Sequence, residues 1–482
     1  MAEGSLKNTT VKGVGWSFTD GILNQGITFL VGIVLARLLN PEEYGLLGLL
    51  MIFIIISESI VNSGLGNALI RKQDATETDY NTVFVTNLVL SFVMYGVLYL
   101  CAPLISTYFE RPQLTPLLHI LGIVVILNAL SLVPSTKLSK KVDFKKITYC
   151  SFAASIVSGI VGIGMALTGY GVWALVGQQI SRQLVLSAAF WIAEKWLPKI
   201  QFSIDSFKEL WNFGWKLLVS GLINTIWNEI YKVVIGKCYN PETLGQYSQA
   251  HTYSDLFSRN LTNVIQRVSY PVLSKMQDEK ERMKHAYRLV IKVTMLVAFV
   301  FMFGLAACAK SFIYVLIGEQ WLPCVGYLQI LCFSMALYPL HAINLNMLQV
   351  QGRSDLFLKL EIIKKCIAVI PLLLGIFVGI YWMLGASVIT GLIAYYLNAY
   401  YSGPYLNYSV WDQVRDLMPS FSLALGMGII VFLVGLIPIT PYLLLPLQII
   451  IGATIVFAVC EWSKLDEYLQ IKDIALNMLK RK

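Results

Sequence analysis

Charge is scarce in this sequence. Of its 482 residues only 13% are Asp, Glu, Lys or Arg, about half the ~25% usual in a soluble domain. So little charge cannot cover a water-facing surface, which excludes an ordinary soluble enzyme. Histidine is rarer still: there are four, and none forms HExxH, the pattern that sets two zinc ligands one helical turn apart. The eight cysteines include no CxxC and lie mostly within or beside apolar runs. That placement argues for packing and against a metal centre or a disulfide framework. No GxxxxGK[ST] occurs, so nucleotide hydrolysis at a P-loop is excluded. No cleavable leader is expected, because residues 1–12 are polar and the first apolar run is too long.

What the chain has in abundance is apolar length. It is 56% hydrophobic, with a mean hydropathy of +0.66. Runs of about 20 residues, enough to span a bilayer as helix, are read at 14–39, 45–63, 82–108, 114–136, 147–168, 170–193, 215–239, 243–270, 289–309, 322–350, 361–380, 384–402, 417–437 and 442–460. The expectation is an all-α integral membrane protein of about fourteen transmembrane helices; runs this long do not suit barrel strands. With the N-terminus cytoplasmic, 29 of the 37 Lys and Arg fall in cytoplasmic segments and four on the opposite face. This bias predicts that both termini are cytoplasmic. It also accounts for the net charge of +9 without nucleic acid. The remaining four cations, Arg182, Lys232, Arg259 and Arg267, lie inside spans.

A long internal repeat organises the chain. Asn40-Pro41-Glu42 with Gly45 recurs 200 residues later as Asn240-Pro241-Glu242 with Gly245. Upstream, Gly15-Trp16, Gly21 and Asn24 answer to Gly214-Trp215, Gly221 and Asn224. Internal duplication in an apolar chain marks secondary transporters. Proline disfavours helix at the residue before it, so Asn40 and Asn240 should end spans 1 and 7. Glu42 and Glu242 would then favour the N-termini of spans 2 and 8. The stretches 202–213 and 408–417 read as amphipathic cytoplasmic linkers at the interface; the first joins the two halves.

Several further motifs carry a resemblance. They are Gly64-Leu-Gly66-Asn-Ala-Leu-Ile70 with Asp79 and Asn87, Lys141-Val-Asp-Phe-Lys145, Gly171-Val-Trp-Ala-Leu175, Tyr270-Pro271, Gly318-Glu-Gln-Trp321 and Gly352-Arg353. In order and spacing, from about residue 5 to 420, the chain resembles the polysaccharide-exporter (Wzx-type) branch of the multidrug/oligosaccharidyl-lipid/polysaccharide superfamily. The resemblance implies two pseudo-symmetric six-helix lobes in a V like that of the multidrug (MATE) members. These would be 1–198 (helices 1–6) and 215–403 (helices 7–12), joined by a cytoplasmic linker at 199–214, with helices 13–14 and a tail appended at 404–482. It implies a transporter in the bacterial inner membrane, not an enzyme, with no cofactor or metal. Its substrate would be an undecaprenyl-diphosphate-linked oligosaccharide, flipped by alternating access for O-antigen, capsule or exopolysaccharide. Implied partners are membrane lipids, a coupling ion (H⁺ or Na⁺) and polysaccharide polymerase machinery. The alternative is a multidrug or organic-cation antiporter on the same fold, against which the four embedded cations speak. Many members carry an acidic residue just before the basic one in helix 7; here Tyr231 precedes Lys232, and Glu229 lies earlier.

A diphosphate in the membrane needs cations, and a glycan needs amides and hydroxyls. Arg182 sits among Gln178, Gln179 and Gln183; Asn224, Asn228 and Lys232 share a helical face at spacings of four. In span 8, His251, Asp255, Arg259, Asn263 and Arg267 recur every four residues, a ribbon that must face protein or water. Its alternative is internal pairing of Asp255 with Arg259. The candidate substrate-binding residues are Arg182, Arg259, Lys232, Arg267, Asn263, Asp255, Asn228, Glu229 and His341. Arg182 and Arg259 would hold the diphosphate, with Lys232 nearby, and Asp255 would orient Arg259. Asp20 polarises span 1, and Glu58 with Asn62 polarises span 2; these read either as cavity groups or as links between helices.

Overall fold

The computed structural model describes residues 21 and 23–480 apart from 275, 277 and 278, and every regular element among them is a helix. Asp20 and the first turns of the expected span 1 lie outside the described residues. Each expected run falls on a helix. In order these are α1 (Leu23–Leu38), α2 (Pro41–Arg71), α3 (Glu77–Phe109), α4 (Leu114–Lys140) and α5 (Phe144–Leu167). Then come α6 (Val172–Glu194), α7 (Ile204–Cys238), α8 (Pro241–Ser274) and α9 (Lys280–Ile317). The last are α10 (Cys324–Val350), α11 (354–377, broken at Ala368), α12 (Ile380–Ser402), α13 (Val410–Val434), α14 (Pro441–Ser463) and the surface helix α15 (Asp466–Lys480). Among the described residues nine helices are long and apolar enough to cross a membrane: α2–α5, α9, α10 and α12–α14. The chain is a multi-pass membrane protein. Of the long unbroken helices, α6, α7 and α8 fall outside that apolar set, and they carry the embedded charges.

The two Asn-Pro-Glu turns end helices as their chemistry requires. α1 stops at Leu38 and α2 begins at Pro41; α7 stops at Cys238 and α8 begins at Pro241. The Glu43 carboxylate accepts from the Asn40 N–H at 2.8 Å, and the Asn240 side-chain oxygen accepts from the Thr243 N–H at 2.7 Å. Each side chain satisfies a backbone donor left over at a helix start.

The chain forms two compact units, Met1–Gly245 and Gln246–Lys482. In the first, α2 is broken where Ser63 and Gly64 take left-handed conformations, with φ of 42° and 69°. α7 crosses at this break. A Cβ on Gly64 would lie 2.5 Å from the Gly214 carbonyl oxygen, so only glycine permits the approach. The stretch expected to be a surface linker is therefore helical from Ile204, and α7 packs within the first unit. Its Leu210 is buried with Tyr80, Phe84 and Trp196. At the other end of α7 the two repeats touch. A Cβ on Gly45 would lie 1.7 Å from the Pro241 oxygen, and one on Gly245 1.9 Å from the Pro41 oxygen.

The second unit is built around α9, whose Tyr287 is fully buried. Its hydroxyl and that of Ser402 donate to the Asn344 side-chain oxygen at 2.5 and 3.0 Å, and Gln413 completes the knot at 3.3 Å. Buried polar groups need such partners, so Asn344 links helices. α13 starts at Val410, and Arg288 of α9 grips Asp416 with two 2.7 Å hydrogen bonds. Tyr408, expected in a surface linker, is buried and donates to the same carboxylate at 2.7 Å. Burial, with the Asp416 carboxylate beside it, pushes the Tyr408 hydroxyl well above its ordinary pKa.

Candidate functional site

At one end of the first unit's helices two lysines are neutralised locally. Lys72 pairs with Asp79 at 3.1 Å and with Glu209 at 2.8 Å, and the Glu209 contact holds its ammonium above the ordinary pKa. Lys137 pairs with Glu77 at 2.7 Å, and the Trp196 indole donates to the same carboxylate. Arg182 differs: it is exposed on α6, while its neighbour Gln183 donates to Ser131 at 3.2 Å.

Lys232 is half-buried on α7 and meets Glu229 at 2.7 Å. The acidic partner that the sequence lacks at position 231 is thus supplied one turn earlier on the same helix. Seven residues before Lys232 stands Thr225. At 3.6 residues per turn the two differ by only about 20° around α7. Asn224 and Asn228 are exposed and lie on a neighbouring face.

Thr225 lines a cavity of about 610 Å³ between α2, α4 and α7. Glu58 and Asn62 face it from α2, and Asn128, Ser131 and Ser135 from α4. The spacings of four in α2 and of three and four in α4 put each set on one helical face. Glu58 hydrogen bonds with Asn128. The sequence reading named Glu58 and Asn62 but missed the α4 stripe, whose signal is three polar residues at helical spacing inside an apolar run.

In the second unit α8 has two faces. Tyr253, Ser254, Ser258 and Thr262 are buried, and the Ser258 hydroxyl donates to the Met335 carbonyl at 2.7 Å. The ribbon lies away from this face. Asp255 meets Arg259 at 2.5 Å, the pairing raised from sequence, yet Arg259 keeps 45% of its side chain exposed. Asn263 is exposed; the Arg267 side chain lies outside the described residues. His341 on α10 is partly buried and sits 3.3 Å from the Asn398 side chain.

The sequence model of the polysaccharide biosynthesis proteins matches residues 34–326. The chain belongs to that family. Among curated relatives, this polysaccharide biosynthesis protein is 26% identical over 313 residues to the succinoglycan biosynthesis transport protein ExoT of Rhizobium meliloti (strain 1021). That match covers 65% of this chain and 63% of ExoT, just under two thirds of its length. The teichuronic acid biosynthesis protein TuaB of Bacillus subtilis (strain 168) is 25% identical over 90% of each chain. The lipopolysaccharide biosynthesis protein WzxC of Escherichia coli (strain K12) is 22% identical over 77% of this chain and 76% of its own. In fold, the protein is similar to the lipid II flippase MurJ in an inward closed conformation, with a TM-score of 0.74 at 16% identity over 94% of this chain and 99% of MurJ. It is also similar to an inward-facing multidrug MATE transporter of the MOP superfamily, with a TM-score of 0.60 at 16% identity over 83% and 98%. The fold expected from the sequence, an all-α membrane protein like the MATE members, is the fold found.

Proposed function

We propose that this protein is a secondary transporter that flips undecaprenyl-diphosphate-linked oligosaccharide units across the bacterial inner membrane. The observation that carries the reading is that two guanidinium groups within the spans stay open. Arg182 and Arg259 sit within α6 and α8, helices too polar for the apolar set; Arg182 is exposed, and Arg259, although paired with Asp255, keeps 45% of its side chain exposed, whereas Lys72 and Lys137, held by carboxylates, keep only 18% and 9%. A cation inside a membrane span is costly, and an anionic substrate offsets that cost. The relatives named for succinoglycan, teichuronic acid and lipopolysaccharide biosynthesis make different polymers, so a carrier of lipid-linked precursors is the common denominator.

In this reading Arg182, Lys232 and Arg259 contact phosphate oxygens, because guanidinium and ammonium groups form strong charge-assisted hydrogen bonds with them. Asp255 orients Arg259, Glu229 steadies Lys232, and Asn228 and Asn263 meet sugar or phosphate; Arg267 lies on the same helix as Arg259. His341, beside Asn398, supports the packing of α10. The working lobes are 1–198 and 215–403, joined at 199–214, with 404–482 appended, and both termini are cytoplasmic. A proton or Na⁺ gradient drives alternating access, and polymerase machinery receives the product.

The test is export of surface polymer from cells carrying Arg182→Ala or Arg259→Ala at wild-type protein abundance. Both should abolish export, and Lys at either position should restore part of it. Normal export by both Ala variants would refute the anion site.

A further inference from the structure

We infer that the cavity between α2, α4 and α7 is a sugar subsite, holding the hydroxyl-rich residues next to the diphosphate of a lipid-linked oligosaccharide. The inference rests on the flippase reading and adds which groups read the glycan. At about 610 Å³ the cavity falls within the ~300–1,000 Å³ of small-molecule sites. Among the described residues its polar lining is a carboxylate, amides and hydroxyls, with no Lys or Arg. That set suits neither a diphosphate, which needs cations, nor an isoprenoid tail, which needs none of it. It does suit sugar hydroxyls, which donate to carboxylate and amide oxygens and accept from amide and hydroxyl donors.

Two details separate a binding site from polar residues that merely bridge helices. Some lining groups do bridge helices, Glu58 with Asn128 and Ser131 with Gln183, yet a space of about 610 Å³ stays open between them. The Asn62 side-chain oxygen is buried and has no hydrogen-bond partner among the described residues, and a buried acceptor left unpaired is expensive. A ligand hydroxyl would satisfy it. Glu58 has Asn128 as a partner, and among the described residues no cation lines the cavity to neutralise it. Its two carboxylate oxygens therefore suit adjacent hydroxyls of one ring.

The register along α7 links this site to the phosphate groups. Thr225 and Lys232 lie on nearly one face, and seven residues at 1.5 Å each separate them by about 10 Å. A phosphate at Lys232 thus leaves the sugars attached to it within reach of Thr225, Glu58 and Asn62.

The experiment uses the full chain in nanodiscs and two probes. One is the lipid-linked repeat unit extracted from the source cells, and the other is undecaprenyl diphosphate without sugar. Wild type should bind the glycosylated probe about tenfold or more tightly than the bare one, the worth of one charge-assisted hydrogen bond. Glu58→Gln, Asn62→Leu and the space-filling Ser135→Phe should each erase most of that margin at wild-type thermal stability, with the loss falling on the glycosylated probe. Glu58→Asp should retain part of it. Folded variants that keep the full margin would overturn the sugar subsite while leaving the flippase reading intact. A wild type that binds neither probe would overturn the flippase reading, and this inference with it.

Discussion

Adding one methyl group to Gly45 tests the closest backbone contact between the two repeats. The new carbon would fall 1.7 Å from the Pro241 oxygen and 2.5 Å from its carbonyl carbon. A carbon and an oxygen at rest need roughly twice the first distance, so α2 and α8 must part by well over 1 Å. Overfilling a packed contact costs about 1–3 kcal/mol, and here the upper end applies because both obstructing atoms are backbone. Alanine returns ~0.5–1 kcal/mol through its helix preference. The net loss is about 2 kcal/mol, or roughly 4–8 °C in the midpoint at ~2–4 °C per kcal/mol for a unit of this size. Gly164 supplies the control, since a Cβ there meets nothing within 4 Å; Gly164→Ala should be neutral or slightly stabilising. The measurement is thermal unfolding of the purified variants in one detergent. Gly245→Ala, whose Cβ would lie 1.9 Å from the Pro41 oxygen, should match Gly45→Ala. The double variant should lose less than the sum, because the separation that relieves one clash relieves the other. If Gly45→Ala melts with Gly164→Ala, the crossing is looser than described and the reasoning fails.

Other outcomes follow from the same structure. Asp416→Asn removes the negative charge and one of the two oxygens that accept from Arg288 and Tyr408 and should destabilise by about 2 kcal/mol, below the loss at a fully buried pair because Arg288 keeps 45% of its side chain exposed; Tyr408→Phe should cost ~1 kcal/mol, and equal melting of the two would contradict the network. Glu209→Gln should change stability by less than ~1 kcal/mol, because its partner Lys72 keeps Asp79 and the carboxylate is largely exposed; a larger loss on urea or heat would show otherwise. Cysteines at Ser5 and Arg481 should resist an impermeant thiol reagent added to intact cells, and labelling of either would reverse the topology. Proteoliposomes free of ATP should still flip the lipid-linked substrate under an ion gradient or downhill, whereas strict dependence on nucleotide hydrolysis would refute a secondary mechanism.

The helices were legible because bilayer-length apolar runs leave little alternative, and the Asn-Pro-Glu turns punctuate them chemically. Helix α7 begins at Ile204, eleven residues before the apolar run at 215, because the amphipathic stretch 202–213 reads from sequence as a linker and not as the helix's first turns. Ser203 caps the helix by accepting from the Ser206 N–H at 3.4 Å, and Leu210 packs with Trp196, contacts distant in sequence. The Asp255–Arg259 pair was readable from spacing alone. The Glu229–Lys232 pair was visible at a spacing of three but was passed over in favour of the Asn224–Asn228–Lys232 face. The α4 stripe of Asn128, Ser131 and Ser135 disappeared into an apolar average, and only its convergence with α2 and α7 gives it meaning.

The reciprocity of the two Asn-Pro-Glu-x-x-Gly copies has a further consequence. Gly45 meets Pro41's counterpart, Pro241, and Gly245 meets Pro41 itself. Residue i touching j′ while j touches i′ is the signature of an isologous interface, the self-complementary contact of a two-fold homodimer. The surface that brings these turns together therefore needs no second design: one sequence, present twice, recognises itself. Carried on one chain, the two copies meet at an effective concentration set by the chain between them and independent of how much protein is present.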